Sequence, residues 1–197
     1  MKQSKKLDLY AQHKSEYVTP KSPVVIDVSP AQYLAISGHG KPGSPEFEQH
    51  IGALYNVAFT IKMAKKFAGQ DYAVSKLEGL WWREGKAAAP AWNWTLLIRT
   101  PDFITTKDLK DAVQKLRDKG RDPAVAEVEI KKLKEGRSVQ ILHVGPYDQE
   151  QTTIDAMQKF ATSNGLVFDG PHHEIYLSDP RRVAPSKLRT ILRYPVK

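Results

Sequence analysis

No cysteine occurs in the 197 residues, so the chain has no disulfide, no thiolate nucleophile and no cysteine-ligated zinc. No apolar run approaches the roughly 18 residues of a membrane span. Met1 to Tyr17 is mostly polar and lacks the basic and then apolar pattern of a secretory signal. These absences predict a cytoplasmic protein without membrane contact. Charge of one sign is abundant but not clustered. The net charge is +8, yet Lys65-Lys66, Lys131-Lys132 and Arg181-Arg182 are well separated and interleaved with Asp and Glu. No recognised nucleic-acid motif accompanies them, so no nucleic-acid partner is expected. Ser-His-Asp patterns, nucleotide loops and dinucleotide fingerprints are missing too, which removes serine hydrolase and nucleotide-dependent chemistry. His172-His173 resembles a metal cue, but adjacent strand residues face opposite ways and cannot chelate one ion together. Neither a metal nor any other cofactor is expected.

What is present is enough apolar material for a full core. With 41% hydrophobic and 26% charged residues, the chain is either one large domain or two small fused ones. After a basic extension over residues 1–23, with a short helix within Leu7 to Tyr17, Val24 to Val28 reads as a strand. Ser29-Pro30 reads as a turn, and Tyr33 to Ser37 as the antiparallel partner of that strand. Ser44 and Pro45 then open a helix whose apolar residues Phe47, Ile51, Leu54, Ala58 and Ile61 recur at steps of three or four, ending by Gly69. Strands over Tyr72 to Arg83 and Trp92 to Thr100 follow, separated by a Gly85 to Pro90 loop. A linking helix runs from about Thr105 to Lys119.

The series then restarts. Val125 to Leu133 and Ser138 to Val144 read as strands around a Glu135-Gly136 turn. A helix follows from about Gln149 to Ser163, with Ile154, Met157 and Phe160 inward, and then strands around Glu174 and at Arg189 to Tyr194. The pattern predicts an α+β fold of two tandem, pseudo-symmetric strand-helix-strand-strand modules. Each has an antiparallel sheet with helices on one face, and a ligand cleft is expected between them. Module one spans about 24–103, the linking helix about 104–120 and module two about 121–197.

Each module carries a carboxylate on an aromatic strand. The first stands in Lys76-Leu77-Glu78-Gly79-Leu80-Trp81-Trp82 and the second in His173-Glu174-Ile175-Tyr176-Leu177-Ser178. Alternation puts Glu78 on the face of Leu80 and Trp82, and Glu174 beside Tyr176. A carboxylate stripped of water is costly unless it is paired, bound to a cation or kept partly neutral, so these positions point to ligand binding or proton transfer. The alternative is that each acid only bridges to an arginine or a backbone donor. All four tryptophans, Trp81, Trp82, Trp92 and Trp94, fall within 14 positions on two successive strands. Flat aromatic walls beside a carboxylate suit a planar aromatic ligand or a cation, although a core also needs such bulk. Trp82, Trp92, Trp94, Tyr176 and Tyr55 are the candidate ligand contacts together with Glu78. Tyr147, near the start of the second module's helix, either donates a hydrogen bond to a carbonyl or developing oxyanion or closes the core.

These segments resemble the GyrI-like small-molecule-binding superfamily over nearly the whole chain. The resemblance is most specific in Tyr33-Leu34-Ala35-Ile36-Ser37-Gly38-His39-Gly40, Leu77-Glu78-Gly79-Leu80-Trp81-Trp82, Val144-Gly145-Pro146-Tyr147-Asp148-Gln149 and His172-His173-Glu174-Ile175-Tyr176-Leu177-Ser178-Asp179-Pro180. It implies two strand-helix-strand-strand modules around a pseudo-twofold cleft, and it places Glu174 where the drug-sensing regulators of the superfamily meet cationic aromatic drugs. With only about 23 residues upstream of the module and no helix-turn-helix there, the chain is more similar to the stand-alone branch. That branch includes hydrolases of cyclopropanoid DNA-alkylating natural products. The resemblance therefore implies a hydrophobic aromatic small molecule as partner, with Glu174 as general base and Tyr147 stabilising the developing phenolate. The alternatives are a non-catalytic binder or sensor of aromatic, often cationic, drugs, and a gyrase-inhibitor-like interaction protein. The oligomeric state is not legible.

Overall fold

Ser44 starts the longest helix of the chain by accepting a hydrogen bond from the Phe47 backbone N–H, with Pro45 fixed in the first helical position. In the computed structural model, which describes residues 6–83 and 92–197, this helix is α2 (Pro45–Phe67). The predicted Gly85 to Pro90 loop lies outside the described residues. Contacts divide the chain into two compact units. One comprises residues up to Gln12, Ala31–Leu77 and Trp82–Leu133, and the other His13–Pro30, Glu78–Trp81 and Lys134–Lys197.

The first unit contains a short helix α1 (Leu9–Gln12), strands β2 (Ala31–His39), β4 (Trp92–Arg99) and β5 (Glu129–Leu133), and helices α2 and α3 (Thr106–Asp118). Its sheet runs β4-β2-β5, antiparallel throughout. Register places Ile36 opposite Leu96 and Leu34 opposite Ile98, on the face where Trp94 meets Phe47 and His50 of α2 edge-on at 5.2 Å. Leu54, Val57 and Ile61 of α2 are buried, each contributing about 1.5–3 kcal/mol by removing its side chain from water. Gly38 faces Trp94, and a Cβ there would lie 2.3 Å from the indole. Helix α3 begins with a reciprocal capping box between Thr105 and Asp108. The strand expected from Val125 instead begins at Glu129, because Asp122 caps Ala124 and Pro123 opens a 3-10 turn over Pro123–Glu127.

The second unit is a five-stranded antiparallel sheet in the order β1 (Val24–Val28), β6 (Gly136–Val144), β8 (Arg189–Pro195), β7 (His172–Tyr176) and the centre of β3 (Leu77–Arg83). Helix α4 (Gln151–Ser163) covers one face, where Met157 and Ala161 pack on Val139, Ile141 and Leu192. The expected β1–β2 hairpin does not form: β1 pairs with β6, Val24 opposite Gln140, and β2 pairs with β4 and β5. A two-residue hairpin needs positive φ at its turn, which Ser29-Pro30 does not supply. The fold class is α+β with antiparallel strands, as the sequence pattern predicts. No described helix is long and apolar enough to cross a membrane.

Candidate functional site

Alternation along β7 sorts its polar residues onto two faces of the second unit. His173 points to one, and His172, Glu174 and Tyr176 to the other. Register extends both faces across the sheet. Gln140, Arg193, His173 and Leu80 form one cross-strand row, while Ile141, Leu192, Glu174 and Gly79 form another on the α4 side.

The first row anchors a fully buried charge network. His173 Nδ1 lies 2.8 Å from Glu135 Oε1 and its Nε2 3.0 Å from Glu78 Oε2. Arg193 donates to Glu135 Oε2 at 2.7 Å, to Gln140 Oε1 at 2.8 Å and to the Glu16 carbonyl at 2.5 Å. Tyr17 donates to Glu78 Oε1 at 3.1 Å. Two acids and two bases thus neutralise one another, and the arginine's bonds supply what desolvation removes. Burial alone would raise the Glu135 carboxyl, but the His173 charge and hydrogen bond, with Arg193, hold it down at about 2. Burial works against the His173 imidazolium, yet Glu135 and Glu78 push it up to about 9. Glu78, only 1% exposed, therefore sits on the opposite face of the β3–β7 pair from Glu174, and the two acids do not share one face.

The α4 face is more open. Glu174 keeps 12% of its side chain exposed, with Oε1 3.3 Å from His172 Nε2. Glu150, immediately before α4, brings its Oε2 to 3.8 Å from the same nitrogen. Opposite Glu174 stands Gly79. A Cβ there would lie 2.8 Å from Trp81 Nε1 and 2.9 Å from the Tyr176 hydroxyl, so glycine is what lets these two groups meet at 3.0 Å. Tyr147 follows the Gly145-Pro146 turn, where Gly145 has φ 143°, and sets its ring edge-on to Tyr176 at 5.8 Å. It is 38% exposed. Tyr194 stacks on Phe168 at 4.2 Å and lies against the His172 ring at 4.7 Å.

This arrangement sets the protons. Burial, opposed by His172 and reinforced by the Glu174 charge, pushes the Glu150 carboxyl up to about 7. Burial disfavours the His172 imidazolium, but the two carboxylates outweigh it and raise its pKa. Burial and then Glu174 push Tyr147 up to about 12 and Tyr176 well above the usual phenol value. The site therefore presents the partly exposed Glu174 side chain, a histidine that favours its proton and two phenols that act as neutral hydrogen-bond donors at neutral pH.

Of the residues singled out in the sequence, Glu174, Tyr147 and Tyr176 come together here. Trp94 is fully buried under α2 in the first unit. In the same unit, half-buried Trp92 lies under the Arg83 guanidinium at 4.0 Å, Tyr55 stacks on Phe59 of α2 at 6.1 Å, and Trp82 is half-buried near the end of β3. Trp81, not Trp82, shares the face of Glu174. Sequence reasoning missed Glu150, and weighed His172 only with His173, as a metal cue it set aside. The spacing of His172 and Glu174, two apart on one strand, was the available signal; nothing local ties Glu150 to them.

Residues 21–197 match the family described as the GyrI-like small molecule binding domain. A solved structure of an uncharacterized conserved protein from Listeria innocua is 38% identical, with a TM-score of 0.91 over 98% of this chain and 100% of that one. Two more from the same organism, each described as a hydrolase, are 36% and 37% identical with TM-scores of 0.88 and 0.89 over the same shares. No curated protein matches the chain.

Proposed function

Because the chain belongs to the GyrI-like small-molecule-binding family, we propose that it hydrolyses the cyclopropane of cyclopropanoid DNA-alkylating toxins, with Glu174 as general base. The observation that carries this reading is the pairing of a partly accessible Glu174 with two neutral tyrosines on one sheet face. The hydrolase description of two relatives more than a third identical supports it.

The chemistry follows from the residues. Glu174 takes a proton from water as the oxygen bonds to a ring carbon of the cyclopropane. The breaking carbon–carbon bond sends its electron pair through the conjugated system to the ketone oxygen, which becomes a phenolate. Tyr147 donates a hydrogen bond to that oxygen as charge develops. The proton held by the carboxyl completes the phenol, so the sum is addition of one water. Tyr176, fixed by Trp81, holds the flat ligand in place.

Incubating the pure protein with a cyclopropanoid alkylator and following the mass tests this directly. A product heavier by one water is expected, and Glu174→Gln should abolish its formation while leaving ligand binding in place. Wild-type turnover in that variant would remove Glu174 as the base. A second reading is favoured by two carboxylates beside tyrosine rings, a setting that also suits an aromatic cation. If no adduct forms and Glu174→Gln instead weakens binding of lipophilic cations, the protein is a binder without catalysis.

A further inference from the structure

Glu150, His172 and Glu174 hold more ligand atoms in one place than the protein satisfies. Among the described residues, both ring nitrogens of His172 and Oε1 of Glu150 are buried without a well-aligned hydrogen bond, His172 Nε2 meeting the two carboxylates only at ion-pair distance. His172 is 8% exposed and Glu150 6%, so water does not readily make up the difference. One atom from each of the three side chains lies within 4.8 Å of the other two. The His172 Nε2 distances of 3.3 Å to Glu174 and 3.8 Å to Glu150 are close to the roughly 3.3 Å that separates ligand atoms around a tetrahedral cation bound at about 2.0–2.2 Å. Two strand residues and the residue before α4 provide the three ligands, so the sheet and the helix preset their spacing.

We propose that Glu150, His172 and Glu174 form a binding site for a first-row divalent cation of the zinc type, and that its occupancy withdraws Glu174 from acting as a base. The second clause rests on the hydrolase reading; the cation site does not. One imidazole nitrogen and two carboxylate oxygens suit zinc and its neighbours, whereas magnesium favours an octahedral shell of oxygens. Two carboxylates balance the cation's two charges. Among the described residues, His172 Nδ1 has no acceptor of the kind that usually orients a ligating histidine, so the bound ion should be exchangeable rather than permanently resident.

Chelator-treated protein titrated with zinc against a chromophoric competitor tests the site without any substrate. One cation per chain is expected, with at least a tenfold weaker affinity in Glu150→Gln and in His172→Gln and no comparable response to magnesium. Cobalt titrated into the wild type should give the visible absorption of a four-coordinate ion, a readout that does not depend on the variants folding. Absence of stoichiometric zinc binding by the wild type, or equal binding in both folded variants, overturns the site. Zinc should then slow water addition to a cyclopropanoid in proportion to occupancy; acceleration overturns the withdrawal of the base. Metal-free protein that makes no adduct at all would instead sink the hydrolase reading, while the zinc titration still decides the site.

Discussion

Glu135 joins His173 to Arg193, and its replacement leaves two buried cations facing each other across one missing carboxylate. Glu135→Gln should cost about 3–5 kcal/mol, read as a lower melting temperature. Its pH signature follows from the depressed pKa. A carboxyl held at about 2, against 4.5 in the unfolded chain, contributes stability that is present above 4.5 and lost as pH falls towards 2. The shift corresponds to about 3 kcal/mol. Melts between pH 5 and 2.5 should fall steeply for the wild type and more gently for Glu135→Gln; parallel curves would mean the ion pair does not stabilise the fold. Glu78→Gln acts on the same network, so it should lower melting while turnover per folded molecule changes less than in Glu174→Gln. The sequence identifies both Glu78 and Glu174 as acids of special setting, since alternation beside aromatics is a local pattern. It does not reveal that one is paired with Tyr17 and His173 and the other left accessible, because those partners come from distant parts of the chain.

At the scale of elements, two glycines mark strands where a side chain from elsewhere takes the space of a Cβ. Gly38→Ala forces Trp94 off its packing against Phe47 and His50 and should cost roughly 1–3 kcal/mol, visible in chemical denaturation of the full chain. Gly79→Ala meets Trp81 and Tyr176 instead, so its main expected effect is on the site: ligand affinity and kcat/KM should fall by more than the melting temperature accounts for. A variant with unchanged kcat/KM would show that the Trp81–Tyr176 contact does not orient the ligand. Helix starts are legible to within a residue or two, as Ser44-Pro45 shows, because capping is local chemistry. Strand partners were not. Ser29-Pro30 separates two strands cleanly but carries no instruction to fold them on each other, and the choice of β6 for β1 is made by residues more than a hundred positions away.

For the whole molecule, the net charge of +8 is not held in the Glu78–His173–Glu135–Arg193 network, where acids and bases pair, so it should govern solubility and salt response rather than that network. The two contact units interleave along the chain, and their membership is not legible in the order of elements, since β1 joins the sheet built from the last third of the chain. That single pairing has a consequence during synthesis. While the ribosome is still making residue 130, β1 has been exposed for many seconds with no partner, given elongation at about 5–20 residues per second. Its contacts are non-local, which places them among the slow steps of folding. A nascent chain stalled before β6 should leave residues 24–28 open to protease, and protection should appear only after residue 144 has cleared the exit tunnel.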